Sequence, residues 1–135
     1  MNKAFLLHFL KCHASKNMMT YSLKSEFTLA RTAGRKCPLV EALDPKYVGQ
    51  ATVFVSHAYG YKVSDSIECM LRYDEEHPGS YFWYDPFSLS QHPPPGGTAP
   101  TEQLIAAFGD RIKEFSATLI VASPWDNPAF LARAW

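Results

Sequence analysis

From Ala51 onward, short apolar runs take turns with amphipathic stretches. Ala51-Thr52-Val53-Phe54-Val55-Ser56 is β-branched and aromatic and apolar on both faces, which is how a strand buried between helical layers reads. Val63, Ile67, Met70 and Leu71 then fall at i, i+4, i+7 and i+8, the spacing of one helix face. Ser64 and Asp65 supply N-cap oxygens, Glu68 stands three residues after Asp65, and the helix is expected to end near His77-Pro78-Gly79. Tyr81-Phe82-Trp83-Tyr84 reads as a second strand, closed by Asp85-Pro86. Pro93-Pro94-Pro95-Gly96-Gly97 suits neither a helix nor a central strand and predicts a loop. Thr101 then caps a helix with Leu104, Ile105, Phe108, Ile112 and Phe115 on one face, although Gly109 weakens it. Ala117-Thr118-Leu119-Ile120-Val121-Ala122 is the third buried strand, and Pro128 opens another helix through Leu131 and Trp135.

Strand, helix, strand, helix, strand and helix onset is the order of right-handed crossovers in a parallel sheet. Residues 1–48 stand before it as a partly helical lead-in. Phe5, Leu6, Phe9 and Leu10 sit at helical spacing, a polar stretch follows, and Pro38-Leu39-Val40-Glu41-Ala42-Leu43 precedes Asp44-Pro45. The expected organisation is a lead-in over 1–48 and an α/β unit over 49–135.

Composition narrows the class. At 135 residues the chain is one domain at most, and roughly two-thirds of its unfolded surface can be buried at that size. With 47% apolar and 19% charged residues, it lies far from the signature of disorder. Thirteen Lys and Arg balance thirteen Asp and Glu with no basic run, so no electrostatic footprint for nucleic acid is present. Cys12, Cys37 and Cys69 are odd in number and scattered, which fits a reducing, cytoplasmic setting better than a disulfide framework. The run Ala4 to Leu10 after Lys3 is short, contains His8 and leads to no small-x-small cleavage site, which argues against a signal peptide. No stretch approaches the roughly 20 apolar residues of a membrane-spanning helix, and no membrane partner is expected.

Three segments together carry a family resemblance: Ala51-Thr52-Val53-Phe54-Val55-Ser56-His57-Ala58, Tyr81-Phe82-Trp83-Tyr84-Asp85, and Leu119 to Pro128 running into Arg133-Ala134-Trp135. In order and spacing they resemble a divergent branch of the Toll/interleukin-receptor (TIR) superfamily over about residues 45–135. The resemblance implies a flavodoxin-like α/β fold with a parallel sheet, three strands present and the domain incomplete. The first segment resembles the family's opening strand, and the third resembles the strand before its Trp-Cys-Leu-x-Glu helix. Trp135 would be the Trp of that motif, so the chain is expected to be the front portion of a longer domain. It also implies an intracellular signalling or assembly module that associates with itself or other TIR-like domains. The alternative is an NAD-cleaving nucleosidase in a longer parent, making NAD a possible cofactor; no other is implied.

In a flavodoxin-like order, ligands sit at the carboxyl ends of the strands where the order reverses. That makes Ser56, His57 and Trp125 candidate binding residues. Each also has a simpler role, the first two as strand-terminating hydrogen-bonders and Trp125 as packing. Asp85 occupies the place where NAD-splitting members often carry an Asp, or forms an Asx turn before Pro86. His92 and the Pro-Gly run fall where the family has a mobile self-association loop, or form a plain linker. A Ser56–His57–Asp85 triad fails because neighbouring strand residues face opposite ways. His8, Cys12 and His13 share a helix face but lack a fourth ligand, so no metal is expected. NAD cleavage needs a carboxylate near the ribose, and Glu68, Glu75, Glu76, Glu102 and Glu114 are all out of place for it. No catalytic residue is therefore assigned. An apolar third strand without a covered outer edge should associate with other copies.

Overall fold

The structure, a computed structural model, describes residues 1–13, 17–93, 109, 111–124 and 126. Three parallel strands form its sheet: β1 (Val53–Ser56), β2 (Phe82–Trp83) and β3 (Ala117–Ile120), in the order β2-β1-β3. Val53 pairs with Phe82 on one side and with Ala117 on the other, and Ser56 pairs with Ile120. The α/β class and the parallel pairing expected from the sequence are both present. Each strand is shorter than its apolar run, and the strands are joined at entry by Thr52 N donating to Tyr81 O and Ser116 N donating to Thr52 O.

β1 is buried at all four positions. Its odd positions, Val53 and Val55, join Phe82, Tyr84 and Val121 in a core completed by residues far away in sequence. Helix α1 (Lys3–Cys12) contributes Phe5, Leu6 and Phe9, started by Asn2, whose side chain accepts from Phe5 N at 3.2 Å. After a 3-10 turn at Thr20–Ser22, a π-helical turn at Lys24–Thr28 runs directly into α2 (Leu29–Thr32). Buried positions shift there from Leu23 and Phe27 to Thr28 and Thr32, a one-residue slip that a π-turn accommodates. Helix α3 (Leu39–Ala42) inserts Leu39, and a 3-10 turn at Pro45–Tyr47 leads to β1.

Helix α4 (Val63–Glu76) follows β1 and buries Val63, Ile67 and Met70 on the same core. It starts one residue ahead of the expected cap. Lys62 is extended and bridged to Met19, and Met18 O accepts from Val63 N at 2.9 Å. The lead-in thus satisfies a first-turn amide, and Asp65 is released for another contact. The helix stops at His77-Pro78-Gly79, where Gly79 has φ +86, a left-handed conformation that glycine adopts without penalty. Helix α5 (Asp85–Ser88) begins directly after β2 and buries Phe87.

Residues 1–48 and the sheet therefore share one core. Phe9 meets Phe27 at 4.8 Å and Phe87 at 5.2 Å between ring centroids, and Phe5 meets Phe87 edge-on at 5.6 Å. These are the edge-to-face geometries that aromatic quadrupoles favour. Met1 also covers the outer edge of β2: its amine donates to Phe82 O at 3.0 Å and its carbonyl accepts from Phe82 N at 2.8 Å. Phe54, on the opposite face of β1, packs on Trp83 at 5.5 Å and on Phe115 at 5.8 Å.

β3 departs from its expected burial. Ala117 and Leu119 are half-buried, whereas Thr118 and Ile120 are exposed. The helix expected over 101–115 lies mostly outside the described residues, although Gly109, Arg111 and Ile112 are helical. The Pro94–Gly97 part of the loop and the helix expected from Pro128 also lie outside them. Among the described residues, no helix is long and apolar enough to cross a membrane.

Phe9→Ala should cost about 3–5 kcal/mol, the range for emptying a buried aromatic site, and denaturant unfolding should remain a single transition. A loss below about 1 kcal/mol would mean that the first 48 residues are an appendage to the sheet.

Candidate functional site at the carboxyl ends of the strands

Alternation along β1 decides which side chains meet beyond its end. His57 continues the Val53–Val55 face into the core, while Ser56 belongs to the Phe54 face. His57 is 2% exposed. Its ring lies 4.6 Å from the Tyr84 ring and 5.4 Å from that of Tyr59, and its Nε2 is 3.3 Å from Asp85 Oδ1.

Asp85 is placed by the change from β2 to α5. It occupies the first turn of α5, next to Pro86, whose fixed φ suits that position. An Asx turn would have had the Asp85 carboxylate accept a backbone N–H two residues on. Instead Phe87 N donates to Tyr84 O, and Asp85 Oδ2 accepts from Tyr59 OH at 2.6 Å. That distance is in the range of a charge-assisted bond from a hydroxyl to a carboxylate. Asp85 thus joins the imidazole just past the end of β1 to the phenol of the turn that follows it.

Tyr84 forms the floor. Thr20 Oγ1 donates to Tyr61 O at 3.0 Å and lies 3.2 Å from Tyr84 OH. A hydroxyl has one proton, so Tyr84 donates to Thr20 and Thr20 donates to Tyr61. Burial pushes the Tyr84 phenol up to about 12, with the nearby Asp85 charge acting in the same direction and the Thr20 hydrogen bond opposing both. The rim is more open: Tyr59 is 41% exposed, and Tyr21, which donates its N–H to Tyr59 O at 3.1 Å, is 65% exposed.

A second contact bridges the β1–β3 side. Ser123 Oγ donates to Asp65 Oδ2 at 2.7 Å, and Ser64 Oγ donates to Asp65 Oδ1 at 3.3 Å. The carboxylate expected to cap α4 therefore ties the segment after β3 to the start of that helix.

Of the four sequence candidates, His57 and Asp85 come together. Ser56 stands on the other face with its carbonyl accepting from Val121 N at 2.9 Å, and Trp125 lies outside the described residues. Sequence reasoning missed Tyr59, Tyr84, Thr20 and Asp65 as site members. Tyr59 had one available signal, since it stands two residues past His57 where the chain leaves the sheet. Thr20 had none, because it comes from the lead-in. His92, placed by resemblance in a self-association loop, is bonded through Nε2 to Thr32 Oγ1 at 2.7 Å. The candidate metal residues reduce to a His8 Nδ1–Cys12 Sγ contact of 3.8 Å with the His13 ring 5.8 Å from that of His8. Among the described residues, no group of three or more His, Cys, Asp and Glu side chains is placed to hold a metal ion.

The arrangement holds one carboxylate between an imidazole and a phenol, with a second phenol kept neutral beneath them. It can present a hydrogen-bond acceptor and an aromatic rim to a ligand.

Alkaline titration followed by ultraviolet absorbance should show a tyrosine that ionises near pH 12, against an ordinary value of 10.0, and Tyr84→Phe should remove it. In the unfolded chain this phenol loses its proton at the lower value. Its contribution to stability is therefore intact below about pH 10 and is lost as pH rises from there through about 12. Titration of all tyrosines together near pH 10 in the folded protein would contradict the buried placement.

Comparison with known proteins adds no relative: no family model, curated protein or solved structure matches the chain.

Proposed function

We propose that this chain is a TIR-like, flavodoxin-like α/β module of intracellular signalling or assembly, and that it works by associating with further copies of itself or with similar domains. One observation carries the reading. β3 joins the sheet through β1 alone among the described residues, and it turns outward Ile120, which is 53% exposed. An apolar parallel strand with an accessible outer edge is a template for another chain. The β2-β1-β3 order agrees with a flavodoxin-like arrangement, in which the strand order reverses beside β1. The free thiols of Cys12, Cys37 and Cys69 suit a reducing compartment.

The second reading, NAD cleavage in a longer parent, is favoured by the pairing of His57 with Asp85 at the carboxyl ends of β1 and β2. Against it, His57 is sealed in the core and Asp85 is engaged by Tyr59, so neither is placed to meet a departing nicotinamide without rearrangement.

Sedimentation velocity over a concentration series should show reversible oligomers, and Ile120→Lys should shift the distribution to monomer because a buried, unpaired ammonium opposes association. A monomer at every concentration, or oligomers unaffected by Ile120→Lys, would overturn the assembly reading. Purified protein incubated with NAD should release no nicotinamide. Release that disappears in Asp85→Asn would show that this chain itself cleaves NAD and overturn the expectation that it lacks the catalytic carboxylate.

A further inference from the structure

Away from the strand ends, α1, the π-turn with α2, α3 and the turn before β1 line an open cavity of about 290 Å3. Phe5, Phe27 and Leu39 form its buried apolar wall, and His8, His13 and Arg31 stand at its polar side. The basic groups are crowded. The His8 and His13 rings are 5.8 Å apart, and the His13 ring is 5.0 Å from Phe27, over which the Arg31 guanidinium lies at 3.7 Å.

Among the described residues the arrangement lacks a matching anion. The one carboxylate among those lining it, Asp44, is already committed: it pairs with Lys46 Nζ at 3.1 Å and accepts from Lys46 N at 3.0 Å. Among the described residues Arg31 makes one hydrogen bond, a long one of 3.4 Å to Phe27 O, so most of the five guanidinium donors remain for a ligand. Partial burial, Arg31 and then His8 hold His13 below its usual pKa. These like charges would be relieved by a negative group set among them. At about 290 Å3 the space is near the lower limit of small-molecule sites, and its wall is aromatic.

We propose that this cavity binds a small organic carboxylate with a planar apolar body. The carboxylate accepts from Arg31 and the two imidazoles, and the body lies against Phe5, Phe27 and Leu39. The site shares no residue with the His57–Asp85 cluster or with β3, so it stands or falls independently of the assembly reading.

Phenylacetate, its neutral amide and acetate form a suitable probe series for calorimetry and for NMR of the histidine ring protons. Phenylacetate should bind saturably, move the His8 and His13 ring signals and raise the pH at which His13 titrates. The amide, acetate and the Arg31→Gln variant should each weaken binding about tenfold or more, the loss expected for a charge-assisted hydrogen bond or for the apolar contact. His8→Gln, a change at an exposed residue, should weaken it in the same direction with the fold intact by circular dichroism. Equal binding of the acid and its amide, equal binding of acetate, unmoved histidine signals at saturation, or no saturable binding would each overturn the proposal.

Discussion

β1 is hydrogen-bonded along both edges and buried on both faces, and nearly everything else follows from how those two faces are covered. A strand of this kind cannot leave either face to water. Val53 and Val55 take the face filled by α1, α4 and Phe87, and Phe54 takes the face filled by Trp83 and Phe115. The next residue on the first face is His57. Its buried place beside Tyr84 and Asp85 is therefore a consequence of strand alternation, and a buried imidazole in that position needs polar partners. Asp85 and Tyr59 supply that polar environment.

The N-terminal stretch is what makes this core large enough. α1 and the π-turn bring Phe5, Phe9 and Phe27 over Phe87, and Met18, Met19 and Thr20 bond to residues on either side of α4's start or beneath the site. The same segment builds two different places: it fixes Tyr84 through Thr20, and with α3 it lines the cationic cavity near His13. A ligand in that cavity would touch the elements that pack on the sheet. It would therefore favour the folded chain by mass action.

Much of the fold was legible where periodicity was strong. The runs around Val53–Ser56, Phe82–Trp83 and Ala117–Ile120 announced the three strands, and the i, i+4, i+7 spacing of Val63, Ile67 and Met70 announced α4. The lead-in was less legible, because its helices are short, one is π-wound, and their apolar residues pack on partners some 80 positions away, as Phe5 does on Phe87. The cap of α4 was misread for the same reason: Met18, distant in sequence, supplies the acceptor that Asp65 was expected to provide. At the site, alternation rightly separated Ser56 from His57, but the link from Asp85 to Tyr59 depends on how the chain turns after β1, and local sequence does not encode that.

Native-state hydrogen exchange most directly tests the claim that residues 1–48 and the sheet are one cooperative core. The amides of Phe9 and of Val53 to Val55 should exchange through the same opening, with matching free energies that fall together as denaturant is added. Exchange of the α1 amides through a separate opening of much lower energy, with β1 still protected, would contradict it.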